Sequence, residues 1–205
     1  MGYHIHETLN LCNQLRETAE AGMEDFSRLI HICHYVLETQ HLEGDMVEFG
    51  CHYGKTAALM ASLTSRPIHL YDSFEGLPPE EGCVAGAMAC KPEDVEMTFR
   101  WARLTIPTIH KGWFKDFTLA DLPSKISLAH IDGDLYCSTM DALRLVYPKM
   151  TKYGYILIDD YQEPFFPGVE RAVSEFLKDK PECAQILSGP NHSLSYKAVI
   201  RKLPE

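Results

Sequence analysis

Apolar positions along this chain follow two periods. Short runs rich in Val, Ile, Leu, Phe and Tyr read as buried strands, and longer stretches with apolar residues three and four apart read as helices. Helical spacing comes first, over Met23 to Gln40, where Phe26, Leu29, Ile30, Cys33, Val36 and Leu37 share a face. Gly44 and Asp45 break it, and Met46-Val-Glu-Phe49 enters a first strand that stops at Gly50. The same reading predicts a helix over Thr56 to Leu63, a second strand over Pro67 to Asp72, a helix from Pro92 to about Leu104 and a third strand over Thr105 to His110. A fourth strand over Ile126 to Asp132, a helix over Ser138 to Lys149, a fifth strand over Tyr155 to Asp159 and a helix over Val169 to Lys178 follow. Ala184 to Leu187 and Tyr196 to Ile200 close the pattern as two more strands. Strand-helix alternation of this kind predicts an α/β fold: a Rossmann-like, doubly wound, mostly parallel sheet with helices on both faces and an antiparallel last strand. With no internal repeat and no linker, residues 1–205 are expected to form a single domain, with 1–43 a helical segment and the Gly- and Ala-rich stretch 79–91 a candidate lid.

Composition narrows the class. A chain of 205 residues with 45% hydrophobic content can bury a full core. Its net charge of −10 and lack of a basic stripe argue against nucleic-acid binding. The apolar runs are strand-sized, well short of the ~20 residues of a membrane span. Met1 to Leu11 carries His4, His6 and Glu7 where a signal peptide would be apolar. Seven cysteines, an odd number without a Cys-x-x-Cys pair, fit a reducing cytoplasm.

The strand ends carry the chemistry. Ile126 to Ile131 leads into Asp132-Gly-Asp134, and Tyr155 to Ile158 leads into Asp159-Asp160. Parallel strands joined by a helical crossover place both acid clusters at the carboxyl edge of one sheet, where open α/β sheets bind ligands. A ligand set made only of oxygens suits a hard cation such as Mg²⁺ better than Zn²⁺. Surface acids that merely end strands and cap helices are the competing account.

A second signal lies in Glu48-Phe-Gly50-Cys-His-Tyr53-Gly54-Lys55-Thr56. Gly50 and Gly54 let backbone approach a ligand, and a helix opening near Lys55 offers free N–H groups. Asp72 ends the second strand 22 residues past Gly50, the place of a ribose-binding carboxylate. The loop fits neither Gly-x-Gly-x-x-Gly, since His52 stands at the second glycine, nor the phosphate-binding loop, which needs four residues where this chain has Cys51, His52 and Tyr53. Glu48 would repel a pyrophosphate but attract the ammonium of an amino-acid moiety, which favours S-adenosyl-L-methionine.

These residues resemble the macrocin and mycinamicin O-methyltransferases. The likeness lies in Val47-Glu-Phe-Gly50 with Gly54, Asp72-Ser73-Phe-Glu-Gly-Leu-Pro78, Gly112-Trp113-Phe114-Lys-Asp116, Ile131-Asp132-Gly-Asp134-Leu-Tyr136 and Gly154-Tyr-Ile-Leu-Ile-Asp159-Asp160-Tyr161. The resemblance implies methyl transfer to a hydroxyl of a small molecule, a sugar or other polyhydroxylated metabolite in natural-product biosynthesis. It implies Mg²⁺ on Asp132, Asp159 and Asp160, with Asp132 also the proton acceptor. Cofactor contacts are implied from Glu48, the Gly50 to Thr56 loop, Asp72, Ser73, Trp113 and Phe114. The partner expected is the small-molecule acceptor, with no nucleic acid or membrane, and a homo-oligomer is compatible with this reading. The chain departs from the family at its shorter front, its compact lid candidate and Asn191 to Tyr196, where the family carries an acidic, Trp-bearing segment.

Several residues have ordinary alternatives. Trp113 and Phe114 either stack on an adenine or close the core. Cys51 and Cys137 read as small packing residues. His31, Cys33 and His34 lack further ligands at zinc spacing. His192 is a turn histidine or an acceptor contact, and Asp134 is a possible fourth ligand beyond Gly133. Two other functions stay open: a nucleotide-binding hydrolase or kinase using Mg²⁺, and a cofactor-binding module without catalysis.

Overall fold

In the computed structural model, Asn10 and residues 26–79, 84–188 and 194–204 are described. Helix α1 (Phe26–Glu38) leads to β1 (Asp45–Phe49), α2 (Lys55–Leu63), β2 (Ile68–Asp72), α3 (Pro92–Trp101) and β3 (Thr108–Lys111). Then come β4 (Ile126–Ile131), α4 (Tyr136–Val146), β5 (Met150–Ile158), α5 (Pro167–Leu177), β6 (Ala184–Ser188) and β7 (Leu194–Arg201). The sheet order is β3-β2-β1-β4-β5-β7-β6. β1 to β5 are mutually parallel, and β7 runs antiparallel to both β5 and β6. The doubly wound sheet and the antiparallel last strand expected from the sequence are both present.

Alternation along the strands builds two apolar layers. Met46, Leu128 and Leu157 face one side, packed with Ile32 and Val36 of α1, Leu59 and Met60 of α2, and Val95 and Phe99 of α3. Val47, Ala129, Ile156 and Ile158 face the other side, against Leu143 and Val146 of α4 and Val169 and Val173 of α5. All six residues of β4 are buried, as expected for a strand covered on both faces.

The pairing extends past the strand ends. Gly50 N–H donates to Tyr71 O, Asp132 N–H to Phe49 O, Asp159 N–H to Ile131 O and Gly112 N–H to Asp72 O, at 2.8–2.9 Å. Gly50, Asp132, Asp159 and Gly112 are thereby aligned on one edge. The chain reverses its direction of winding between β1 and β4, so a crevice opens there.

Some element limits differ from the sequence reading. β3 starts at Thr108 rather than Thr105. α4 begins at Tyr136 and ends at Val146, giving way to a 3-10 turn that contains Pro148, which cannot donate to the helix ladder. β5 begins at Met150, with a register irregularity between the Met150 and Tyr155 pairings that hid its start. In the candidate lid, residues 80–83 lie outside the described residues. The rest folds back on Leu77, whose N–H donates to Ala87 O while its carbonyl accepts from Gly86 N–H. No helix among the described residues is long and apolar enough to cross a membrane.

Gly50 has φ of +86°, and a Cβ there would lie 1.9 Å from the Asp132 carbonyl oxygen. Gly50→Ala is therefore expected to lower stability by about 2–4 kcal/mol, combining left-handed backbone strain with overpacking against backbone. The urea midpoint at unchanged slope measures it. A loss below about 0.5 kcal/mol, the size of an ordinary surface substitution, would mean that this strand edge yields easily.

Candidate active site

A cleft of about 650 Å³ opens at the carboxyl edge of the sheet, beside β1 and β4. Glu48, Gly50 and Tyr53 contribute from β1 and its loop, Lys55 and Thr56 from the first turn of α2, and Asp72 and Ser73 from the end of β2. Trp113 and Phe114 line it from the turn after β3. Nine of the ten residues expected to contact a cofactor thus share one cavity. Gly54 is the tenth and does not line it. Its φ of +72° caps α2, and a Cβ there would come within 2.8 Å of Val95 Cγ1, so it serves packing against α3.

Asp72 shapes the glycine loop. Its Oδ2 accepts the N–H of Cys51 at 2.9 Å and of His52 at 3.0 Å, and Oδ1 accepts Phe74 N–H at 2.8 Å. Three of the roughly four acceptor positions of a carboxylate are thus used by backbone. His52, at φ 46°, is held in the left-handed region by this turn. Phe114 packs edge-on against Phe49 at 5.1 Å while also lining the cleft, so the two readings of this aromatic turn are compatible. Cys51 is buried, and Cys137 is half-buried at the cleft wall.

Glu48 is 1% exposed. Its Oε1 pairs with His130 Nδ1 at 2.9 Å, whereas its buried Oε2 has no hydrogen-bond partner among the described residues. A buried carboxylate oxygen is costly without a donor, so Oε2 is an unmet polar demand beside the cleft.

The acids divide into two overlapping groups able to hold a metal. His130, Asp132 and Asp159 form one, and Asp132, Asp134 and Asp160 the other. Asp132, Asp134 and Asp160 line the cleft. Asp159 does not: its Oδ1 accepts Asp160 N–H at 3.0 Å, and its Oδ2 is paired with Lys197 Nζ and lies 3.7 Å from His130 Nε2. Burial, then Asp159 and Asp160, push the Asp132 carboxyl well above the usual carboxylate range. Burial, then Asp132 and Asp160, push Asp134 up to about 9. Crowded oxygen donors whose charges repel one another fit a hard divalent cation, which would relieve that repulsion. Burial and Lys197 oppose a charge on His130, but bonds to Asp159 and Glu48 outweigh them and raise its pKa.

His130 and Lys197 were not singled out in the sequence. The available signal was one ionisable residue inside each otherwise buried strand run, Ile126 to Ile131 and Lys197 to Ile200. None of the metal-competent groups among the described residues includes His31 or His34. His192 lies outside the described residues.

A family profile described as macrocin-O-methyltransferase (TylF) matches residues 18–188. The demethyldecarbamoylnovobiocin O-methyltransferase of Streptomyces niveus is 32% identical over 157 residues, 66% of this chain and 59% of that protein. The 8-demethyl-8-(2,3-dimethoxy-alpha-L-rhamnosyl)-tetracenomycin-C 4'-O-methyltransferase of Streptomyces olivaceus is 33% identical over 152 residues, 62% of this chain and 58% of that protein. The chain thus spans less than two thirds of the length of these relatives. Among solved structures, the O-methyltransferase NovP aligns with a TM-score of 0.77 at 25% identity, covering 95% of this chain and 88% of that one.

The loop geometry can be tested without any ligand. Asp72→Ala removes the charged acceptor of two loop amides and is expected to cost about 1.5–3 kcal/mol of stability. Amide hydrogen exchange should accelerate at Cys51 and His52, with a smaller effect for Asp72→Asn. Unchanged protection at both amides would show that the loop is held by other contacts.

Proposed function

Because this chain belongs to the macrocin O-methyltransferase family, we propose that its cleft transfers a methyl group from S-adenosyl-L-methionine to a hydroxyl oxygen of a small molecule, a sugar or other polyhydroxylated metabolite. The observation that carries the reading is Glu48, whose buried Oε2 lacks a partner at the wall of the cleft. An amino-acid ammonium supplies the missing donor, whereas the phosphates of ATP would be repelled. The Gly50 to Thr56 loop, shaped by Asp72, would take the nucleoside, and Trp113 and Phe114 would offer it aromatic faces. The Streptomyces olivaceus relative is named for a rhamnosyl substituent, which supports a sugar as acceptor.

The proposed mechanism assigns the chain's own groups as follows. Glu48 anchors the amino-acid end of the cofactor, and the Asp72-held loop fixes its nucleoside end, so the reactive methyl is delivered to the acid-lined side of the cleft. Holding both reactants in line contributes up to roughly 7–11 kcal/mol in well-oriented reactions. Asp132, between Gly50 and the outer carboxylates, accepts the proton from the acceptor hydroxyl. Asp132 and Asp160, completed by a third carboxylate, would hold Mg²⁺, which when bound makes a coordinated hydroxyl more acidic and fixes its orientation.

Two measurements test this reading. In calorimetry, wild type is expected to bind S-adenosyl-L-methionine and S-adenosylhomocysteine far more tightly than ATP, and Glu48→Gln to weaken both by about 10–100-fold. ATP binding of similar strength would instead favour a nucleotide hydrolase or kinase. In single-turnover assays against a panel of glycosides, Asp132→Asn should lose about 10²–10⁴-fold more rate than Asp160→Asn at saturating Mg²⁺ and regain part of it at high pH. Equal losses for the two variants would leave Asp132 without a role as base.

A further inference from the structure

Lys197 is 2% exposed, in the interior of the sheet. Antiparallel pairing sets Ala198 opposite Ile158, so Lys197 stands beside Asp159 at the end of β5. Its ammonium pairs with Asp159 Oδ2 and lies 3.3 Å from His130 Nε2. With Oδ1 of Asp159 accepting the N–H of Asp160, both oxygens of Asp159 are engaged on the inner side of the edge. Of the acids after β4 and β5, Asp132, Asp134 and Asp160 line the cleft and form one metal-competent group.

We propose that Lys197 is a positioning residue that withdraws Asp159 from metal binding and shifts the ligand set to Asp132, Asp134 and Asp160. This rests on the proposed use of a divalent cation. An ion on Asp132, Asp159 and Asp160 would share Asp159 with a buried ammonium, which either sets two cations against one carboxylate or leaves Lys197 an unpaired charge inside the sheet, and both are heavily penalised. The alternative set leaves that pair intact. Asp134 and Asp160 adopt left-handed backbone, with φ of 57° and 53°, which turns these residues away from the strand direction toward the cleft. The Lys197–Asp159 pair then contributes no net charge, and the ion is bound by carboxylates that line the cleft.

The full chain is titrated with Mn²⁺ alone, the free ion counted by electron paramagnetic resonance. Removing the pair as a unit, Lys197→Met with Asp159→Asn, takes away no net charge and is the exchange a buried pair tolerates best. The double variant should bind Mn²⁺ as wild type does, within about threefold, while Asp134→Asn should weaken binding by about 10–100-fold. Lys197→Met alone should tighten Mn²⁺ binding several-fold, since Asp159 is then released toward the ion, a change that a merely structural lysine would not produce. If Lys197→Met does not fold, the double variant and Asp134→Asn decide the matter. Mn²⁺ affinity lost in the double variant as severely as in Asp160→Asn, or left intact in Asp134→Asn, would overturn the proposal while sparing the metal reading. No Mn²⁺ binding by wild type would overturn the metal reading itself, and the proposal with it.

Discussion

Where the winding of the sheet reverses, the Asp132 carbonyl occupies the space into which a side chain at Gly50 would project. That contact lets Asp132 N–H donate to Phe49 O and brings the two central strands to a common edge. The glycine loop and the first acid cluster leave the sheet from neighbouring residues, so a group held by one must lie against the other. The cleft follows from backbone packing, before any side chain chooses a ligand.

Bringing strand ends together has an electrostatic consequence. Glu48, Asp132, Asp159 and Asp160 crowd one edge, and buried carboxylates are stable only when paired or hydrogen-bonded. On the inner side the protein supplies the partners itself: His130 for Glu48, Lys197 for Asp159. On the outer side, Asp132, Asp134 and Asp160 repel one another. Two polar deficits therefore face the same cavity, an unpartnered oxygen on Glu48 and a surplus of negative charge a few residues away. One calls for a hydrogen-bond donor and the other for a cation, and the proposed cofactor and metal meet those two needs separately.

Much of this was legible in the sequence because parallel strands advertise themselves. Ile126 to Ile131 and Tyr155 to Ile158 are apolar enough to be read as strands, and the acids after them could only emerge at the carboxyl edge. The glycine loop and Asp72 were legible for the same reason. Asp72, however, proved to be bonded mainly to the loop's own amides, because a strand-end carboxylate meets the nearest free N–H groups first. The partition of the acids was not legible, since Asp159 and Asp160 are adjacent in sequence and their difference depends on what stands opposite. That neighbour is a lysine about 40 residues later, in a strand whose pairing direction only the folded sheet fixes.

The antiparallel strand β7 is what makes this neighbour available. A parallel strand next to β5 would bring its carboxyl end, and the loop after it, to the functional edge. An antiparallel strand brings its amino end there, and an interior residue, Lys197, arrives on a ladder paired on both sides, Leu187 of β6 opposite Lys197 and Ile158 of β5 opposite Ala198. A charge carried on such a strand is held more firmly than one on a loop, because its backbone cannot move without breaking two sets of pairings. The topology of the last two strands thus sets the charge balance at this edge, and with it which of the clustered carboxylates are left to face the cleft.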